Sequence, residues 1–171
     1  MINSFEIYKK ATQLVQKTGT NDAVQIAAEL GIKLYYNNYE NMLGMYTYRW
    51  KHRFIFLNNN LDSNMLQMVL AHELGHDIFH RNLASNGLQE FALFDIRSIT
   101  EYEANAFAAH VLLENEDVLF LARAGNDVAQ IASNLNAHIN LLLIKMQEMN
   151  RMGFDFNVPY RAQGNFFMIF R

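Results

Sequence analysis

Three of the six histidines in the chain lie in one short segment, AHELGHDIFH, which runs from Ala71 to His80. His72 and His76 are four residues apart, so on a helix one imidazole lies above the other on the same face. Two imidazoles in that arrangement can bind one tetrahedral metal ion, with ring nitrogens about 2 Å from it. Glu73 lies about 100° further round the helix, where its carboxylate can accept a proton from water that the metal activates. The pattern predicts a hydrolytic zinc site with Glu73 as the base.

A hydrolytic zinc site uses three protein ligands and leaves the fourth position open. Because the chain contains no cysteine, the third ligand must be a histidine or a carboxylate. The candidates are Glu101 and Glu103 in the segment ITEYEANAFAAHVLLEN, and they point about 200° apart on a helix, so only one can face the site. Glu103 is the expected ligand, because Ala104 beside it belongs to a face of small and apolar residues that lets two helices approach closely. Glu101 is the alternative.

Other polar residues near the predicted ligands have open roles. A fourth protein ligand would close the site, so we expect His80 to support the ligands or to pack in the core. Asp77 either orients a ligand imidazole through a hydrogen bond or is exposed. Asn105 either orients a ligand or lies on an ordinary polar face. A side chain that stabilises the oxyanion is also needed, and the candidates are Tyr46, Tyr48, Arg97 and Tyr102.

The elements that must position these residues form an α+β pattern. Apolar residues at helical spacing predict helices over residues 4–17, 22–30, 64–80 and 99–113, of which the third contains the histidine motif. Between the second and third helices, the aromatic-rich segments IKLYYNN, LGMYTYRW and RFIFLNN predict a small three-stranded antiparallel sheet packed on the motif helix. Residues 81–98 show no clean period and are predicted to be a connecting loop.

The chain divides into a predicted core that contains the zinc motif, residues 1–123, and a C-terminal helical region, residues 124–171, within one compact unit. In the second part, DVAQIASNLNAHINLLLIKMQEMNRMG resembles a degenerate helix-turn-helix. Its second helix carries only Lys145 and Arg151 as basic residues and is otherwise mostly apolar, so direct DNA binding is not expected. The tail from Gly153, which ends in NFFMIF, is either a strand or a packed extension.

Composition limits the possible classes of protein. A chain with 51% hydrophobic and 13% aromatic residues can bury a sizeable core. The net charge of −3 gives no general attraction to nucleic acid or to anionic membranes. No apolar run approaches the roughly 18 residues that span a bilayer, and the first segment lacks the apolar centre of a signal peptide. The absence of cysteine fits a reducing compartment, and we therefore expect a cytoplasmic protein without a membrane partner.

HELGH, together with EANAFAAHVLL downstream, resembles the ImmA/IrrE family of zinc metallopeptidases and the wider gluzincin pattern. The resemblance covers most of the chain and includes IFLNNNL just before the motif helix. It implies a zincin-like fold, one zinc ion bound by His72, His76 and Glu103, and Glu73 as the catalytic carboxylate. It also implies an endopeptidase that cleaves a helix-turn-helix repressor of a mobile element or a stress response. The alternatives are a catalytically silent relative that binds a repressor, which has no need of Glu73, and a DNA-binding regulator.

Overall fold

The computed structural model describes residues 3–90, 94 and 98–158. These residues form seven α-helices, one 3-10 helix and four strands, which confirms the predicted α+β class. In chain order the elements are α1 Ser4–Thr18, α2 Ala23–Glu29, β1 Lys33–Asn37, β2 Gly44–Arg49, β3 His52–Asn58, α3 Ser63–Phe79, the 3-10 helix Arg81–Asn86, β4 Leu88–Glu90, α4 Ile99–Leu112, α5 Asn115–Arg123, α6 Val128–Asn134 and α7 Ile139–Arg151. None of the described helices combines the length and apolar character that crossing a bilayer requires.

Side-chain caps explain where the two most important helices begin. The Asp62 side chain accepts a hydrogen bond from the backbone N–H of Met65, at 2.8 Å, and starts helix α3. The Ser98 hydroxyl accepts from the backbone N–H of Glu101, at 3.1 Å, and starts helix α4. The observed bounds of α3 and α4 lie within one residue of the predicted ones at both ends. Both helices are therefore confirmed.

The sheet differs from the predicted three-stranded antiparallel one. It has four described strands in the order β1-β3-β2-β4, and β1 runs parallel to β3, whereas β2 is antiparallel to both β3 and β4. The segment between β1 and β2 does not make a tight hairpin but carries the chain far enough to leave room for β3 between them. Strand β4 and the 3-10 helix lie in residues 81–98, which were predicted to be a loop. Both are too short for a periodic pattern to identify them.

Helix α3 lies between the inner face of the sheet and helix α4. Tyr46 and Ile55 on the sheet and Val69, Leu70 and Leu74 on α3 are all 0% exposed and belong to the same core. Since α3 contacts α2, the sheet and α4 at once, nearly its whole circumference is buried. A helix in that position carries no polar stripe, so any polar side chain on it must find a partner inside the protein.

Helices α3 and α4 approach most closely at Gly75. A β-carbon added to Gly75 would lie 2.8 Å from the Cα atom of Ala104, which is closer than atoms of that kind approach. Glycine therefore permits the contact between the two backbones, and Ala104 marks the face of α4 that is directed at α3. The predicted close approach of two helices through small residues is confirmed.

Helices α6 and α7 form the pair that resembles a helix-turn-helix. Helix α6 begins with a capping box between Asp127 and Gln130, and α7 packs against α4. Most of α7 is buried, and Lys145 is only 1% exposed. Lys145 is therefore not available for a phosphate contact. The NFFMIF segment of the tail lies outside the described residues.

Candidate metal centre

Helix α3 presents two imidazoles to one point. The Nε2 atoms of His72 and His76 are 3.1 Å apart, and the two rings meet at 81° with their centroids 4.7 Å apart. Their side chains are buried, at 0% and 2% exposure. The i, i+4 spacing that suggested a shared metal ion therefore places the two ring nitrogens side by side, as predicted.

Helix α4 adds a carboxylate to the two imidazoles, and it is Glu101. Its Oε2 atom lies 3.2 Å from His72 Nε2 and 3.6 Å from His76 Nε2. Together these three residues form a group whose ligand atoms could hold a metal ion. Glu101 was the alternative in the sequence-based prediction.

Glu103, the ligand expected from the sequence, is directed elsewhere: its Oε2 atom lies 3.1 Å from Nε2 of His80. The reason is the helix crossing. Ala104 faces α3, and the residue that shares its face one turn earlier is Glu101, three positions away, rather than the adjacent Glu103. The small residue that suggested Glu103 therefore points to Glu101 once the contact between Gly75 and Ala104 is known.

The spacing of the three ligand atoms fits a metal ion. Tetrahedral zinc with ligands at about 2.0–2.2 Å requires neighbouring ligand atoms to lie about 3.3–3.6 Å apart. The observed separations are 3.1, 3.2 and 3.6 Å. Two imidazoles and one carboxylate also match the donor set of catalytic zinc sites, which leave one position for a substrate or water.

Glu73 is buried beside the ligands and next to strand β2. It is 0% exposed, and the backbone of Tyr46 on β2 is among its polar neighbours. Burial raises the pKa of Glu73 to about 8, while His72 lowers it and the carboxylates of Glu90 and Glu101 raise it. A carboxyl group with a pKa near neutrality, next to a candidate metal site, is suited to take up and release a proton.

The surroundings of His72 favour positive charge. Burial lowers the pKa of His72, but the carboxylates of Glu101 and Glu90 outweigh that effect and raise it to about 10. The Glu90 carboxylate lies 3.0 Å from His72 Nε2. Glu90 was not among the predicted residues, because β4 carries no recognisable pattern. The carboxylates around His72 favour a cation, whether a proton or a metal ion.

In both candidate ligand histidines, the second ring nitrogen, Nδ1, contacts a polar side chain. The Nδ1 atom of His72 lies 3.0 Å from the side-chain oxygen of buried Asn105, so Asn105 contacts a ligand as the sequence allowed. The Nδ1 atom of His76 lies 3.0 Å from Nδ1 of His80. Partners of this kind hold a ligand imidazole in one orientation and one tautomer.

Asp77 neither orients a ligand imidazole nor is exposed, which were the two possibilities predicted for it. It is buried, and it accepts hydrogen bonds from the Tyr46 hydroxyl at 2.6 Å, from Arg53 at 3.1 Å and from Arg81 at 3.1 and 3.2 Å. Tyr46 and Arg53 belong to the sheet, so Asp77 ties the end of α3 to strands β2 and β3. Its function in this structure is to hold the motif helix against the sheet.

Two of the four candidates for oxyanion stabilisation already have strong partners. The Tyr46 hydroxyl donates to Asp77, and the Tyr102 hydroxyl donates to Glu148 at 2.5 Å. Burial and the neighbouring carboxylate raise the pKa of both tyrosines. Tyr48 lies under the guanidinium of Arg81. The fourth candidate, Arg97, lies outside the described residues.

Comparison with known proteins agrees with this geometry. The family model Peptidase M78, described as an IrrE N-terminal-like domain, matches residues 27–161. The chain is also similar to the uncharacterized immunity region protein 2 of Bacillus phage phi105, with 31% identity over 111 residues, which cover 64% of this chain and 70% of the relative. The chain therefore belongs to the ImmA/IrrE family.

Proposed function

We propose that this protein is a zinc-dependent endopeptidase with one zinc ion held by His72, His76 and Glu101. The observation that carries the proposal is the convergence of two imidazole nitrogens and one carboxylate oxygen, 3.1 to 3.6 Å apart, beside the buried carboxyl group of Glu73. A single buried ion pair needs only one imidazole and one carboxylate, whereas here two imidazoles from one helix and a carboxylate from another share one point. Membership of a peptidase family supports the same chemistry.

Zinc at such a site supplies Lewis-acid polarisation of the scissile carbonyl and activation of water. Glu73 is the residue of this chain that handles the proton. It takes the proton from the attacking water and returns it to the amine of the leaving peptide. In the metal-free protein burial raises the pKa of this carboxyl group, which is the direction that suits a group that must both accept and release a proton.

The proposed substrate is a regulatory protein of the cytoplasm, a helix-turn-helix repressor of a mobile element or a stress response. Two observations support it. The resemblance to the ImmA/IrrE family implies this class of substrate, and the phage relative is named as an immunity region protein. A zinc peptidase among cellular proteins must also be selective, so we expect low activity on unrelated proteins.

The test is to incubate the zinc-loaded protein with the helix-turn-helix repressor encoded beside it, and separately with casein, and to identify the products by mass spectrometry. We expect cleavage of the repressor at one bond and little digestion of casein. Failure of the zinc-loaded protein to cut the repressor would overturn the proposed substrate, and brisk digestion of casein would overturn the proposed selectivity.

A variant that keeps the metal but loses the base separates catalysis from binding. Glu73→Gln should leave the repressor intact while zinc binding is retained. If this variant still relieved repression in cells, the protein would act by binding the repressor, as a silent relative of peptidases would.

A further inference from the structure

His76 makes polar contacts with both of its ring nitrogens. On one side Nε2 lies 3.1 Å from His72 Nε2 and 3.6 Å from the Glu101 carboxylate. On the other side Nδ1 lies 3.0 Å from Nδ1 of His80. The second nitrogen of His80, Nε2, lies 3.1 Å from the Glu103 carboxylate. The contacts form a continuous chain from the candidate metal centre through two histidines to a carboxylate on α4.

Metal binding would permit only one direction of hydrogen bonding along this chain. A nitrogen that binds a metal carries no proton, so a neutral His76 ligand must carry its proton on Nδ1. That N–H can donate only to Nδ1 of His80, which must then be the unprotonated nitrogen. A neutral His80 therefore carries its proton on Nε2, and this N–H donates to Glu103. A carboxylate at the end of the chain is the group that accepts such a bond, so every atom has its required role.

We infer that His80 and Glu103 form a positioning pair, which fixes the orientation and the tautomer of His76 for metal binding. The inference rests on the proposed metal centre. His80 holds the place that a carboxylate or a carbonyl usually takes behind a ligand histidine, and Glu103 holds His80. The other ligand, His72, shows the simpler arrangement, in which Asn105 contacts its Nδ1 atom directly.

The position of the pair in the fold supports this role. His80 is 4% exposed and ends helix α3, where its backbone N–H bonds to the carbonyl of His76. Glu103 is on α4, so the contact between them also spans the helix interface. The rings of His76 and His80 lie 5.1 Å apart between centroids, so the two side chains are in direct contact. Glu103, which the sequence suggested as a metal ligand, thus contacts His80 instead, and His80 contacts the candidate ligand His76.

The first test measures zinc affinity by competition with a chromophoric chelator. Removal of a partner behind a ligand histidine typically weakens metal binding about 10–100-fold, and we expect His80→Ala to fall in that range. His80→Gln should recover part of the loss, because its amide oxygen can accept from His76. Glu103→Gln should be milder than Glu103→Ala for the same reason. His52→Ala, which removes an exposed histidine of strand β3, is the matched control and should bind zinc like the wild type.

The second test needs no variant and is not affected by a failure to fold. Long-range ¹H–¹⁵N correlation spectra of the zinc-loaded wild type should show His76 protonated at Nδ1 and His80 protonated at Nε2. His80 protonated at Nδ1, or His80→Ala with unchanged zinc affinity, would overturn the positioning role while the metal centre stands. A wild type that binds no zinc would overturn the metal centre itself, and the positioning role with it.

Discussion

Helix α4 contributes to two buried polar clusters that differ in the charge they favour. One is the candidate metal centre beside helix α3. The other, which we term the α7 cluster, lies between α4 and α7 and consists of the buried residues Tyr102, His110, Lys145 and Glu148, with the exposed Arg151 at its edge. In the α7 cluster the Lys145 amine lies 3.0 Å from His110 Nδ1, and Arg151 pairs with Glu148 at 3.0 Å. Both clusters bury groups that ordinarily carry charge, yet the pKa of His72 shifts in the opposite direction to the pKa values of Lys145 and His110.

In the α7 cluster burial removes charge. Burial lowers the pKa of Lys145 to about 7 and that of His110 to about 3, so both bases tend toward their neutral forms. At the candidate metal centre the carboxylates of Glu101 and Glu90 overcome the same burial and raise the pKa of His72 to about 10. Burial still lowers the pKa of His76, on which Glu101 acts in the opposite direction. The difference between the two clusters therefore lies in the carboxylates that converge on His72, because they favour a cation there.

The largest expected effect is the loss of zinc in Glu101→Ala. Removal of a residue that is hydrogen-bonded to a metal ligand typically weakens metal binding about 10–100-fold, and removal of one of the three ligands themselves should weaken zinc binding by more than that. Activity should disappear with the metal. Glu103→Ala should keep one zinc ion at saturating metal. Metal and protein quantified together in both variants provide the measurement. Zinc lost from Glu103→Ala but kept by Glu101→Ala would restore the sequence-based choice of ligand.

The next effect concerns the base of the metal centre. Glu73→Gln should lower kcat about 10²–10⁴-fold, the contribution typical of a general base, with zinc content unchanged. Repressor cleavage followed over time, with bound zinc measured in the same samples, provides the test. A variant that retains near wild-type kcat would remove Glu73 from the reaction.

The same variant should change how the stability of the metal-free protein depends on pH. The folded-state pKa of Glu73, about 8, is well above the usual pKa of a glutamate because the carboxyl group is buried, so folding favours its protonated form. The stability that the protonated Glu73 side chain contributes is fully present below its pKa in the unfolded chain. It is lost as pH rises through its pKa in the folded protein. We expect Glu73→Gln to lose less stability than the wild type between pH 5 and 8. Urea unfolding at both pH values measures this, and parallel losses would contradict it.

A smaller effect tests the helix contact that brings Glu101 to the histidines. Gly75→Ala places a β-carbon against the backbone of Ala104, so α3 and α4 must move apart. We expect a loss of about 1–3 kcal/mol in the free energy of unfolding, as for other overpacked cores, and weaker zinc binding. Urea unfolding and chelator competition measure the two quantities. Unchanged values for both would show that the crossing does not position the ligands.

The smallest effect belongs to the α7 cluster. Burial lowers the folded-state pKa of Lys145 to about 7, well below the usual pKa of a lysine. Lys145 therefore loses its proton at a lower pH in the folded protein than in the unfolded chain, and stability should rise with pH between those two pKa values. Lys145→Met removes this dependence, and we expect it to be more stable than the wild type at pH 7 by at most about 2 kcal/mol, since His110 loses its partner. The difference in urea midpoint between Lys145→Met and the wild type should be smaller at pH 9 than at pH 7. A gap independent of pH would contradict the neutral lysine.

Elements with a long local pattern were predictable from the sequence. Helices α3 and α4 were predicted within one residue, because their caps and their apolar spacing are local features. Strand β4 and the parallel pairing of β1 with β3 were missed, since a three-residue strand has no measurable period and pairing depends on distant residues. Glu90 was missed for the same reason, although it lies 3.0 Å from His72.

The sequence by itself determined the pair of candidate ligand histidines and the candidate base between them. His72, Glu73 and His76 are neighbours on one helix, and helical geometry relates their side chains wherever that helix packs. The third ligand was decided only by the tertiary structure, because it depends on the face that α4 turns toward α3. That face is set where Gly75 meets Ala104, and the crossing directs Glu101 to the two ligand histidines and Glu103 to His80.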